Sequence, residues 1–185
     1  MTVIKTIIVY LLIILITVLP TYVLVRYAKS FPPKFLHPKY KSGFGGMLII
    51  LLFGQVVWLV RSIWETSYMA SDLFFMIRQT PELTVSASVV LLPSLLGLLF
   101  GGRVIYQLVS KRTPAAFGAV IVMLWLMGPS VAMFQSWYFQ LALTQASIIQ
   151  LFGWTIFWSL YLVISPRSTL TYGTARGRKY MEESR

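Results

Sequence analysis

Five apolar stretches, each about as long as a bilayer is thick, constrain this 185-residue chain more than any other feature. A helix needs about 20 mostly apolar residues to traverse the hydrocarbon core, and lipid requires its backbone groups to be satisfied within the segment. The stretches run over residues 6–25, 43–64, 84–109, 115–134 and 143–164. None places a polar residue at every second position, as barrel strands do. Only 11% of residues are charged against 57% hydrophobic, where a soluble domain carries about a quarter charged. The expected fold is an all-α, polytopic membrane bundle of five transmembrane helices.

The connecting segments alternate in charge. Arg26, Lys29, Lys34, Lys39 and Lys41 follow the first stretch without an acid, whereas Glu65, Asp72, Arg78 and Glu82 follow the second. Lys111 and Arg112 make the next turn, residues 135–142 carry no charge, and Arg167, Arg176, Arg178, Lys179 and Arg185 occupy the tail. The positive-inside rule then places the N-terminus outside and the C-terminus in the cytoplasm, which requires an odd number of crossings. The expected location is the cell inner membrane. The chain divides into an anchor with its basic loop (1–42), a four-helix membrane domain (43–173) and a basic tail (174–185). The first stretch exceeds a signal-peptide core and no small-x-small site follows it, so it reads as a retained anchor.

Local signals refine the boundaries. Thr113 is the expected N-cap of a helix with Pro114 at its first position. Pro20 and Gly128-Pro129 predict kinks. Trp64 and Tyr68 on one loop, with Trp137, Tyr138 and Phe139 on another, suggest an outer aromatic belt, and Tyr27, Tyr40, Tyr106 and Tyr172 an inner one.

The residues available for chemistry are few. No Asp or Glu lies inside a stretch, which argues against a carboxylate proton relay. Cysteine is absent and His37 is the single histidine, so neither a metal site nor a cofactor is expected, and no nucleophile or phosphate-loop motif points to an enzyme. A net charge of +11 also suits nucleic acid. The first basic loop is pinned between two spans, however, which favours anionic lipid headgroups as the partner of Lys34, Lys39, Lys41 and Arg167.

Two helix faces stand out. Gly97 and Gly101 form a small-residue motif that lets another helix approach, and Arg103 points roughly opposite, where it can snorkel to lipid phosphates. In the last stretch Ser147, Gln150, Trp154, Trp158, Tyr161 and Ser165 share an arc of about 80°. That face is either interhelical glue or the wall of a pocket for a lipid or quinone-like ring. In the pocket reading Gln55, Arg103, Gln150, Trp154, Trp158 and Tyr161 bind the ligand, with Ser62 on the same side as Gln55. Arg61 and Glu65 are placed to form an interfacial ion pair.

Residues 43–173 resemble the YdgK-like bacterial inner-membrane family, a domain of unknown function with four spans. The resemblance rests on Gly43-Phe44-Gly45-Gly46-Met47-Leu48, on Lys111-Arg112-Thr113-Pro114, and on Trp158, Tyr161, Ser165, Arg167, Thr171 and Tyr172. Met47 stands where that family has Trp, and Pro166 where it has a basic residue. The likeness implies location and topology, not activity. The functional expectation is a non-enzymatic accessory or scaffold subunit whose partners are other membrane subunits. The alternative is a small transporter or a lipid- or quinone-binding protein.

Overall fold

The computed structural model describes residues 2–140 and 143–184, and their side chains except at 2–10, 13, 83 and 139. Leu141, Ala142, Arg185 and the Phe139 side chain, named above for a turn, the tail and the outer belt, lie outside the described residues. Among the described residues the chain is helical throughout, with no strand. Its helices are α1 (Thr2–Ser30), α2 (Met47–Gln79), α3 (Thr84–Ser110), α4 (Pro114–Trp125), α5 (Val131–Phe139), α6 (Gln145–Ile164), α7 (Pro166–Tyr172) and α8 (Ala175–Glu182). A π-turn, Leu126–Ser130, joins α4 to α5. Among the described residues, four segments (Met47–Gln79, Thr84–Ser110, Pro114–Tyr138 and Gln145–Ile164) are long and apolar enough to cross a membrane. They are compatible with an integral, multi-pass membrane protein.

Local physics explains most boundaries. The Thr113 hydroxyl accepts the Ala116 amide at 3.2 Å and Pro114 occupies the first turn. Thr144 caps α6 in the same way, accepting from Ser147 at 3.2 Å. The kink expected at Gly128-Pro129 takes the form of the π-turn, because proline offers no amide to the α ladder. α1 runs unbroken through Pro20.

Three expectations are corrected. The second helix does not end near Trp64 but continues 15 residues to Gln79, so Trp64, Tyr68, Glu65 and Asp72 lie on helix rather than loop. The stretch is mixed in polarity but contains no proline or glycine, so nothing in it stops a helix. For the same reason Trp137 and Tyr138 lie on α5 rather than in a loop. Tyr172 is not an interfacial marker. It is 1% exposed and sits in the core.

Burial is concentrated at one end of the bundle. Leu48, Leu51, Leu52 and Val56 of α2 meet Val104, Ile105 and Leu108 of α3, Val120 and Leu124 of α4, and Trp158 and Leu162 of α6. α1 joins through buried Thr17, Thr21 and Ala28 and half-buried Leu24 and Val25, while Leu15, Leu19 and Tyr22 remain exposed. Beyond Val56, α2 buries only Thr66 among its described residues, and before Gly101, α3 buries only Ala87, Pro93 and Gly97. The helices therefore bury most where the basic segments converge and least toward the other end.

Candidate functional site

The residues expected to line a pocket are distributed in two groups. On α6, Trp154, Trp158 and Tyr161 form a ladder of edge-to-face rings, with centroids 5.5 and 5.7 Å apart. The Trp154 ring lies against Gly54 of α2, where an added Cβ would come within 2.9 Å of it. Gln55, next in sequence, is 1% exposed, and its side-chain oxygen has no partner. The Trp158 indole N–H is likewise buried and unpartnered. Thus Gln55, Trp154, Trp158 and Tyr161 belong to the contact between α2 and α6 and the core beside it. Gln150 is exposed on α6, and Arg103 is exposed on α3, over the Tyr106 ring at 5.4 Å.

The Gly97 and Gly101 face meets a partner within the chain. Trp58 of α2 covers both glycines, 3.8 Å from a Cβ built on Gly97 and closer still at Gly101. The Arg61–Glu65 pair forms at 2.7 Å with both side chains largely in the open, where such a pair contributes little.

The most organised polar cluster lies at the tight end, around Arg112 and Tyr172, which the sequence places in a turn and in the inner aromatic belt rather than in a site. Arg112, in the turn between α3 and α4, donates to the Leu108 carbonyl at 2.7 Å and to the Ala28 carbonyl at 2.8 Å. It therefore caps the C-terminal ends of α3 and α1 together, where a cation is favoured by the helix dipole. Three rings surround it: Phe31 at 5.9 Å, and Phe44 and Tyr172 at 5.4 Å each. The Tyr172 hydroxyl donates to the same Leu108 carbonyl at 2.8 Å.

α7 is held in this cluster by a backbone strap. The Lys34 and Phe35 amides donate to the Thr171 and Leu170 carbonyls, each at 3.1 Å, and the Gly43 amide donates to the Thr171 hydroxyl at 2.9 Å. Ser168, Thr169, Leu170, Thr171 and Tyr172 are all at most 1% exposed. Gly173 then turns the chain with φ +68°, where a Cβ would meet the Lys34 side chain at 2.5 Å. Of the expected headgroup residues, Lys39 and Lys41 are exposed, Lys34 lays its stem on Gly173, and half-buried Arg167 lies over Gly45 and Gly46. His37 organises its own loop, accepting the Lys39 and Tyr40 amides on Nδ1 at 3.0 and 3.2 Å.

Burial sets the electrostatics. It pushes the Tyr172 hydroxyl well above its ordinary 10.0, with the neighbouring Arg112 charge pulling partly back. Burial also lowers Arg112 below the ordinary arginine value, with Tyr172 acting in the other direction. Near neutral pH the pair is therefore a charged guanidinium beside a neutral phenol. Above pH 10 the unfolded chain releases the Tyr172 proton while the folded chain keeps it. Stability is then expected to fall by up to about 1.4 kcal/mol per pH unit from this group, having been constant below that range. The Tyr172→Phe protein should show a correspondingly shallower alkaline loss in a denaturation series. Identical slopes would show that Tyr172 does not carry the effect.

The segments that suggested the YdgK-like family, residues 43–48, 111–114 and 158–172, converge on this one end. Comparison with family models, curated proteins and solved structures returns no match.

Proposed function

We propose that this chain is a non-enzymatic, five-span inner-membrane protein, N-terminus outside and C-terminus cytoplasmic, that serves as an accessory or scaffold subunit of a larger membrane assembly. Membership of the YdgK-like family belongs to the same proposal. The end of α1, the loop residue Phe44 just before α2, the turn between α3 and α4 and α7, which follows α6, all meet around Arg112 and Tyr172, which supports alternating crossings. That end carries Lys34, Lys39, Lys41, Lys111, Arg112 and Arg167, which favours the cytoplasmic face.

One observation carries the subunit reading. α2 has 33 residues and is about 50 Å long at 1.5 Å per residue, against a hydrocarbon core of about 30 Å. Twenty residues from Met47 reach Thr66, at the level of Trp64 and Tyr68. The remainder overhangs with Phe74 (59% exposed), Phe75 (64%) and Met76 (52%) on its surface, and Val85 (74%) is likewise exposed in the first turn of α3. Large apolar side chains exposed outside lipid favour a protein contact. The less buried half of the bundle leaves further helix faces for neighbouring subunits.

The test is gentle purification from the native membrane followed by native mass measurement. A membrane protein retained in fixed stoichiometry is expected, and it should be lost from a Phe74→Ser/Phe75→Ser/Met76→Ser variant that still inserts. A solitary monomer would overturn the subunit reading. Reporter fusions placing both termini in one compartment would overturn the five-span topology.

A further inference from the structure

On α3, Leu92, Pro93, Leu96, Phe100 and Arg103 fall within an arc of about 100° at roughly 100° per residue. The first four line an open cleft of about 240 Å³, closed on its other side by Leu126 and Ser130 of the π-turn and by Phe134 of α5. The cleft lies in the less buried half of the bundle, between the part of α3 that contains Pro93 and the π-turn that contains Pro129. Ser130 is the one hydroxyl-bearing residue in a lining that is otherwise hydrocarbon and proline.

Charge stands at one end of this stripe. Exposed Arg103 and Lys111 both sit on the Tyr106 ring, at 5.4 and 5.9 Å. The only ion pair among the described residues is the distant Arg61–Glu65, so no carboxylate neutralises them. Their position relative to the cleft restricts what can engage both. Phe100 and Leu92 lie about 15 and 27 Å along α3 from its basic end at Ser110, whereas one leaflet is only about 15 Å deep. An ordinary phospholipid anchored at the basic face ends where the cleft begins.

We propose that the cleft and the Arg103–Lys111 pair form one site for an anionic lipid whose chain exceeds a leaflet, a polyisoprenoid phosphate. Its phosphate sits on Arg103 and Lys111, and its chain descends the Leu92–Phe100 stripe into the far half of the bilayer. This rests on the membrane-spanning reading above. Methyl-branched, unsaturated chain suits a cleft walled by Leu and Phe, and the two cations select the charged form of the lipid.

The experiment is native mass spectrometry of the detergent-purified full chain titrated with a polyprenyl monophosphate, the matching neutral polyprenol, and phosphatidylglycerol. The polyprenyl phosphate is expected to bind most tightly. At about 1 kcal/mol per cation, Arg103→Gln should weaken it about five-fold and Arg103→Gln/Lys111→Gln about 30-fold. Ser130→Trp should remove the binding by filling the cleft, with Leu92→Trp on its exposed lip as a second variant should the first misfold. Equal binding of the neutral polyprenol would overturn the role of the cations. Equal binding of phosphatidylglycerol would overturn the chain-length requirement, and binding unchanged in both tryptophan variants would remove the cleft. Alkaline carbonate extraction of the source membranes separates the two levels. A protein that stays in the pellet yet ignores all three lipids sinks only this site, whereas release into the supernatant would sink the spanning reading beneath it.

Discussion

Replacing Gly101 with leucine is expected to destabilise the bundle by about 1–3 kcal/mol, the cost of forcing extra atoms into a closed contact. The reason is local. The Trp58 ring lies across the glycine face of α3, and a Cβ on Gly101 would fall inside contact distance of its Cζ3 and 3.1 Å from its Cε3. Leucine must push the indole out and part α2 from α3, the pair that also carries the overhang. Gly102 is the internal control. A Cβ there meets nothing within 4 Å, so Gly102→Ala should be neutral or slightly stabilising, since alanine is the better helix former. Unfolding titrations in mixed micelles, followed by tryptophan fluorescence, compare the two. If Gly101→Leu unfolds with the wild-type midpoint, Trp58 is not wedged as described.

The second large effect is expected at Arg112. Its guanidinium serves two carbonyls from different helices within a ring of aromatic side chains, and hydrogen bonds from charged groups contribute about 1.5–3 kcal/mol each. Arg112→Leu keeps the packing volume but leaves the Ala28 and Leu108 carbonyls without that donor. A loss of about 2–3 kcal/mol is expected after discounting the burial that already lowers the arginine's basicity. Arg112→Lys should recover little, because an ammonium cannot span two carbonyls in a plane and stack on rings at once. Limited proteolysis gives the sharper readout. The loop at 31–46 and the chain after Gly173 should become cleavable before the spanning helices loosen. Protection equal to wild type would mean that the strap holds without Arg112.

Much of this architecture was legible in the residues. Apolar run length places the start of α3 and the end of α6, and Thr113-Pro114 gives the start of α4 to within a residue. The opposition of Gly97 and Gly101 to Arg103 followed from helical spacing alone, although the spacing could not show that Trp58 of the same chain fills the glycine face. Two features were hidden for identifiable reasons. Residues 65–79 read as loop because Glu65, Asp72 and Arg78 interrupt the hydropathy. Helix continuation depends on backbone propensity and on packing against α3, and a lipid-length window sees neither.

The tail was hidden by its polarity. Ser165 to Thr171 looks like surface, yet these hydroxyls satisfy themselves locally. Thr171 donates to the Arg167 carbonyl at 2.6 Å, Thr169 to that of Ser165 at 3.1 Å, and Ser168 to that of Leu162 at 2.5 Å. A short helix whose side chains close their own hydrogen bonds can be buried at little cost. Nothing in its composition announces that. Arg112 was legible as a charge in a turn, but its three rings come from residues 31, 44 and 172, and only the folded chain brings them together.

The strap also imposes an order on biogenesis. Gly43 and Thr171, which it joins, are 128 positions apart, and a ribosome delivers the second many seconds after the first at ordinary synthesis rates. Throughout that interval the early loop has no α7 to dock with, and the guanidinium that ties the first and third helices lacks the phenol beside it. The strapped end of the molecule therefore closes last, after the preceding helices have all been made, so that a nascent chain remains open to late-arriving neighbours until its final segment seats itself.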